Sequence, residues 1–354
     1  MALEKVVVAL SGGVDSSVAA ALLVEQGYEV VGVTMRLWSA PGCENENRCC
    51  TPQTRSLAAE LADQLHIPFT ILDAQEEFRS VVVQQFLDGY GQGDTPNPCV
   101  FCNRYLKWGY LWDYAQSIGA DCLATGHYAR IGTGSGKSYE LWKGVDVSKD
   151  QTYFLSLLTQ EHLAHTKFPL GTYLKQEVRQ IAHERNLASA DQPESQDLCF
   201  LGPHDYREFL AEYAPQVVRP GQIVSRNGKL LGEHKGLAFY TIGQRKGLPA
   251  AGQPLYVHEK DLPGNRLIVC SAEELGRESM KVSQVNWIAG EPPGDEFEAD
   301  LKIRYKSAPA KAMVKVELNG DTAVKFAAPL RDITPGQMAV FYQGEKVLGG
   351  GIIC

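Results

Sequence analysis

Seven residues near the N-terminus, Ser11-Gly12-Gly13-Val14-Asp15-Ser16-Ser17, have the types needed to hold a phosphate group. Adjacent glycines let a backbone turn tightly and bring its N–H groups against phosphate oxygens. The serine hydroxyls can add donors, and Asp15 can hold the magnesium that accompanies a nucleoside triphosphate. No Gly-Lys-Ser/Thr closes the loop, so it is not a Walker P-loop. Gly132–Ser138 looks closer to that motif, but Ile131 stands where its first Gly is needed. Strand-like runs on either side make that stretch a hairpin turn.

Cysteine supplies the second chemistry. Cys99 and Cys102 lie in the polar stretch Gly93-Asp-Thr-Pro-Asn97-Pro98-Cys99-Val-Phe-Cys102-Asn103, read as a loop preceding a helix over Tyr105–Ile118. An unperturbed thiol is only a few per cent ionised at pH 7, and a helix N-terminus stabilises the thiolate, the nucleophilic form. Cys199 lies in a second such loop, Ser195-Gln196-Asp197-Leu198-Cys199-Phe200. From spacing alone these are nucleophiles or bystander thiols. Cys99-x-x-Cys102 is half a zinc site at most, since no second Cys-x-x-Cys or His pair follows at a zinc spacing. Cys43, Cys49 and Cys50 fit no metal pattern, and Cys122 and Cys270 sit in apolar runs as small buried hydrophobes do.

These residues need elements to position them. Lys5–Leu10 is a continuous apolar run, short enough for a buried parallel strand, and Ser16–Gln26 reads as a helix ended by Gly27. Strands over Glu29–Leu37, Pro68–Asp73 and Cys122–Thr125 alternate with helices over Pro52–Leu65, Glu76–Tyr90 and Tyr105–Ile118. That order predicts an α/β fold, a doubly wound and mostly parallel sheet with helices on both faces. The phosphate-binding loop then falls at the carboxyl end of the first strand, where such sheets bind ligands, and the next helix adds about half a positive charge. After a short helix over His204–Tyr213 the chain turns strand-rich, with runs at Gly221–Val224, Leu237–Ile242, Leu255–His258 and Leu267–Cys270. Two small β-rich domains follow the first, giving expected units of 1–203, 204–280 and 281–354.

Composition agrees with an ordinary globular chain: 354 residues, 44% hydrophobic and 21% charged. No run of about 18 apolar residues exists to span a bilayer. The chain begins with a strand-like run rather than a signal peptide, so a cytosolic location is expected. Nine cysteines there are not a disulfide framework, because the cytosol keeps thiols reduced. A net charge of −8 argues against indiscriminate nucleic-acid binding, while leaving a specific RNA partner open through local basic patches.

The Ser-Gly-Gly-Val-Asp-Ser string resembles the PP-loop of the N-type ATP pyrophosphatases, which implies cleavage of ATP between its α- and β-phosphates and activation of a substrate as an adenylate. Taken with Asn97–Asn103, Thr125-Gly126-His127-Tyr128, Lys149-Asp150-Gln151-Thr152-Tyr153-Phe154 and Ser195–Phe200, the chain resembles the tRNA-specific 2-thiouridylases. The likeness continues through Tyr240–Gly247, Lys302–Tyr305 and Thr334–Gln337. It implies 2-thiolation of a wobble uridine in a tRNA anticodon loop, with ATP and Mg2+. Cys199 would carry a persulfide loaded by an upstream sulfur donor, and Cys102 would be the partner nucleophile. Ala9, Leu10, Ser11, Gly12, Gly13, Val14, Asp15 and Ser16, with Met35 and Gly126, would surround ATP. Asn97, Pro98 and Cys99 would surround the target base, and His127, Lys149, Asp150, Gln151, Arg304, Tyr305 and Gln337 would contact tRNA. Family members differ at the position of Cys99, some carrying Asp as a general acid, so Cys99 is not assigned that role. Three alternatives remain: an iron–sulfur cluster on Cys99, Cys102 and Cys199 delivering sulfide, another PP-loop ligase acting on a small metabolite, and an RNA-binding scaffold that holds ATP without chemistry.

Overall fold

The computed structural model describes residues 3–41, 51–134, 138–193, 198–202, 205–250 and 252–354. Its first layer is a five-stranded parallel sheet of β1 (Lys5–Ala9), β2 (Glu29–Arg36), β3 (Phe69–Asp73), β4 (Cys122–Ala124) and β7 (Thr166–Lys167), ordered β3-β2-β1-β4-β7. A valine-rich run suits a strand buried on both faces. In β1, Val6 and Val8 enter one core while Val7 enters another. The first core lies under α1 (Val14–Glu25), α2 (Pro52–Leu65) and α6 (Lys175–Glu184). Strand order reverses beside β1, which puts the carboxyl ends of β1 and β4 on either side of a crevice.

Two long helices cover the route from β3 to β4. The first, α3, runs through the consecutive segments Gln75–Phe78, Arg79–Val83 and Gln84–Gly91. The second, α4, runs through Pro98–Phe101, Cys102–Leu111 and Trp112–Ser117, with π-helical turns in the middle of each. The expected helix start at Tyr105 is therefore corrected to Pro98, and both cysteines of that stretch stand on the helix itself. The reason is local: Pro98 is preset for the first helical position, and Asn97 caps it in an extended conformation. A hairpin of β5 (Ala129–Thr133) and β6 (Tyr139–Lys143) leaves the first layer, followed by the short α5 (Gln160–Ala164). The tip of that hairpin, residues 135–137 of the rejected Walker-like stretch, lies outside the described residues.

Beyond α7 (Tyr206–Tyr213), β8 (Gly221–Ser225), β9 (Leu230–His234), β10 (Tyr256–Asp261) and β11 (Arg266–Cys270) form a small sheet ordered β10-β11-β8-β9. Leu237–Ile242, expected as a strand, begins instead with a 3-10 turn over Leu237–Phe239 and joins no ladder. Its apolar residues fill the centre of this sheet's core, and a short apolar run cannot distinguish the two outcomes by periodicity. The last layer is a closed antiparallel barrel of six strands: β12 (Arg277–Trp287), β13 (Glu296–Lys302), β14 (Ala310–Val316), β15 (Thr322–Leu330), β16 (Met338–Gln343) and β17 (Lys346–Ile353). Its wall continues into the first layer, because β17 also pairs with β6, Val347 opposite Leu141. Met338, Val340, Tyr342 and Val347 accordingly share one buried cluster with Val7, Trp108, Leu141 and Tyr153. Among the described residues no helix is long and apolar enough to cross a membrane.

Candidate active site

Ser11–Ser17 follows β1 directly, and Leu10 is fixed in place by its N–H to Val33 and by the Thr34 hydroxyl on its carbonyl, both at 2.8 Å. Gly12 adopts φ +73° with its Cα against the Thr54 carbonyl of α2, so no side chain fits there. Gly13 opens α1 with no side-chain cap, which leaves first-turn N–H groups for an anion. Ser16 and Ser17 are buried and donate to the Gly13 carbonyl at 3.0 Å, and Ser16 Oγ accepts from the Ser11 N–H at 3.2 Å. Their hydroxyls brace the loop from inside, and the exposed Ser11 hydroxyl meets that of Ser16 at 3.2 Å. Asp15 is held by the Tyr128 hydroxyl at 2.8 Å and by the Lys175 ammonium at 2.7 and 2.8 Å. Gly126, after β4, closes the crevice. A Cβ there would stand 2.7 Å from the Asp15 carbonyl carbon and 2.8 Å from the Ser16 nitrogen. Half-buried Met35, in β2, packs on two of the cores.

The cysteines stand on two separate segments, α4 and the stretch before α7. Cys99 is exposed on the first turn of α4, and Cys102 is half-buried one turn later. Cys199 is half-buried too, and the stretch Ser195–Asp197 before it lies outside the described residues, as do Cys43, Cys49 and Cys50. Across 97 positions of sequence (199 − 102), Cys102 and Cys199 pack against the same apolar cluster. Phe200 anchors that arrangement. It is fully buried with ring centroids 5.9 Å from Phe78, 5.2 Å from Phe86 and 5.4 Å from Phe209. All three cysteines are thiols, and among the described residues no three His, Cys, Asp or Glu side chains converge on a metal position. Cys122 and Cys270 are buried as expected, and desolvation pushes the Cys122 thiol up to about 12. A cavity of about 750 Å³ lined by Glu4, Trp112, Cys122 and His165 opens at the amino ends of β1 and β4, the opposite end of the sheet from the loop.

A polar chain ties α4 to the segments after β4 and after β6. Asn103 donates to the Phe154 carbonyl at 3.0 Å and accepts from Lys107 at 2.8 Å, and Lys107 reaches His127 Nε2 at 3.4 Å. The other ring nitrogen of His127 meets the Thr125 hydroxyl at 2.7 Å. His127 is 8% exposed between Trp108 and Phe168, and burial followed by Lys107 holds its pKa well below the usual imidazole range. A neutral imidazole so enclosed presents little surface here, and its polar contacts are to Lys107 and Thr125.

Three family models match the chain in sequence: a tRNA methyl transferase HUP domain over residues 4–203, a tRNA methyl transferase PRC-barrel domain over 207–271 and an aminomethyltransferase beta-barrel domain over 277–353. The tRNA-specific 2-thiouridylase MnmA of Magnetococcus marinus is 46% identical over 353 residues, covering 99% of both chains. The chain belongs to the tRNA-specific 2-thiouridylase family. Relatives of the same name in Carboxydothermus hydrogenoformans (46%) and Natranaerobius thermophilus (45%) cover 99% of this chain and 97% of their own.

Within this family member, the residues expected at a tRNA surface divide into two groups. Lys149 and Tyr305 are part-exposed, and the Tyr305 ring lies 4.5 Å from that of Phe154. Gln151, Arg304 and Gln337 are equally part-exposed, and each also bonds to another chain segment. Asp150 is buried, accepts from the Thr152 N–H and hydroxyl, and has its pKa raised by that burial. Gln151 accepts from the Tyr128 N–H at 3.0 Å. Arg304 donates to the Ile242 carbonyl at 2.8 Å and the Thr334 hydroxyl at 2.6 Å, and Gln337 donates to the Thr95 carbonyl at 2.7 Å. Asn97 bonds to the Tyr153 hydroxyl, and Pro98 is buried at the head of α4. Sequence reasoning missed Lys175. The spacing Val178, Ile181, Ala182 marks its helix, but the partnership with Asp15, 160 positions away, has no sequence signature.

Proposed function

We propose that this enzyme converts the C2 oxygen of a tRNA wobble uridine to sulfur, using ATP to make that oxygen leave. The observation that carries the reading is the packing of Cys102 and Cys199 on one apolar cluster that also takes in Met35 and Leu37 at the carboxyl end of β2, the strand paired with β1. The uracil O2 attacks the α-phosphate of ATP, pyrophosphate departs, and C2 acquires an AMP leaving group. The Gly12–Gly13 turn and first-turn N–H groups of α1 would receive the phosphates, Lys175 would stand beside them on Asp15, and Asp15 would be the carboxylate this loop offers to magnesium. The terminal sulfur of a Cys199 persulfide, loaded by an upstream donor, then attacks C2 and AMP leaves. Cys102 thiolate attacks Cys199 Sγ, the S–S bond breaks, and its electron pair remains on the sulfur now bonded to C2. A Cys102–Cys199 disulfide results, and a dithiol reductant returns both thiols.

An anticodon loop suits such a site, because a single-stranded base can be splayed out into it. Lys149 and Tyr305 are the surfaces proposed to meet the RNA, with exposed Cys99 beside the base. The experiment is mass spectrometry of tRNA after incubation with ATP, magnesium and a persulfide donor. The expected result is replacement of oxygen by sulfur on the wobble uridine. Cys199→Ser should still release pyrophosphate but leave the tRNA mass unchanged, whereas Asp15→Ala should lose both steps. Normal thiolation by Cys199→Ser would overturn the persulfide assignment.

A further inference from the structure

We propose that Lys260, on the central β domain, is a positioning residue for the cysteine helix, acting through its hydrogen bond to Gly93. The inference rests on the thiolation reading only for its effect on turnover. Its structural content is that a domain distant in sequence fixes where Cys99 and Cys102 stand.

The segment Gly93–Asn97 joins α3 to α4 and belongs to neither, so its course has to be set from outside. Contacts from the barrel, from α3 and from the central domain do so. From the barrel, Pro335 accepts the Thr95 N–H at 2.9 Å and Gln337 donates to the Thr95 carbonyl, so Thr95 is gripped on both backbone groups. From α3, Gly89 accepts the Asp94 N–H at 2.9 Å and Pro96 packs where a Gly89 side chain would be. From the central domain, Lys260 in β10 donates to the Gly93 carbonyl at 2.7 Å, with the Asp94 carboxyl facing it. Leu262, just beyond β10, covers Gly93 closely enough that a Cβ there would meet its methyl groups at 2.9 and 3.0 Å.

Lys260 is the costly member of this set. Its side chain is half-buried, and desolvation depresses its pKa to about 8 against the attraction of Asp94, while desolvation in turn raises Asp94. An apolar side chain of similar length would fill the same space without desolvating a charge. What the ammonium adds is a fixed, directional bond to the backbone five residues before Pro98 (98 − 93). A nucleophile that must meet a sulfur on another segment gains from such a mount, since a misplacement of about 1 Å can cost on the order of 100-fold in rate.

The test uses the full-length enzyme, tRNA, ATP and a persulfide donor. Lys260→Met should lower kcat at least about tenfold, leave KM for ATP within about twofold, and keep the thermal midpoint near that of the parent. In the absence of ATP and tRNA, alkylation of Cys102 by iodoacetamide, followed peptide by peptide, should change rate while exposed Cys354 serves as the unchanged internal reference. Lys260→Arg, which keeps the charge and donors, should recover much of both. If Lys260→Met does not fold, Leu262→Ala removes the cover over Gly93 from a part-exposed position and should shift the same two readouts.

Unchanged kcat and unchanged Cys102 labelling in a folded variant would overturn the proposal. So would a lowered thermal midpoint with full activity per folded molecule, or a failure of Lys260→Arg to restore a folded Lys260→Met. If the parent enzyme forms no 2-thiouridine, the thiolation reading fails instead, and the Cys102 labelling still decides whether Lys260 sets the helix.

Discussion

At the scale of single residues, the site is defined as much by missing side chains as by present ones. Gly126 lets the turn after β4 touch the backbone of α1, and Asp15 is oriented by that contact as well as by Tyr128 and Lys175. Gly126→Ala would push its new methyl group into backbone atoms, which cannot rotate away. The expected outcome is at least a tenfold loss of ATP affinity, roughly 1.4 kcal/mol, with the fold retained; calorimetric titration with ATP would check it. Residue types in Ser11–Ser17 announced the loop because glycines and hydroxyls at that spacing have few other uses. The division of labour within it was not legible. Ser16 and Ser17 turn inward to brace the Gly13 carbonyl, and only coordinates distinguish a hydroxyl facing phosphate from one facing its own backbone.

At the scale of elements, boundaries read from hydrophobic period were right where strands and helices were separate, and displaced where chemistry and structure overlap. The cysteine helix begins at Pro98 rather than Tyr105, since polar Asn, Pro and Cys residues looked like loop while serving as cap and first turn. The hairpin β5–β6 was legible as a hairpin, but its partner β17 was not, because ladder pairing over about 200 positions leaves no local trace. That pairing makes a falsifiable claim about stability. Leu141 lies opposite Val347 in the dry seam, so Leu141→Asp buries a carboxylate with no partner. The expected cost is about 3 kcal/mol or more, seen as a lower urea midpoint of the whole first layer and barrel together; a loss confined to the barrel would contradict the shared seam.

At the scale of the molecule, two of the three parts are one body. The parallel sheet and the barrel share a core through Val7, Leu141, Tyr153, Met338 and Val347, whereas the central sheet keeps its own cluster of Ile223, Leu237, Val257 and Leu267. Polar contacts such as Lys260 to Gly93 and Arg304 to Ile242 attach it to the rest, together with Ala238 and Phe239, which pack into the cluster of Phe78, Phe86 and Phe200. Hydrogen exchange should therefore show amides of residues 221–270 opening together at lower free energy than those of β1 or β16, which should open only with global unfolding. Equal protection across all three would show that the central sheet has no independent opening. The order of three parts was legible from the shift to short strands after α7; which two fuse was not, since that depends on a seam built from opposite ends of the chain.

The seam between β6 and β17 also imposes a schedule on biosynthesis. The hairpin leaves the ribosome with the α/β layer, yet the strand that completes its ladder is translated about 200 residues later. Throughout that interval β6 presents an open strand edge, a ready template for pairing with another chain. A stalled or damaged nascent chain would carry an assembled nucleotide-binding layer together with an adhesive border.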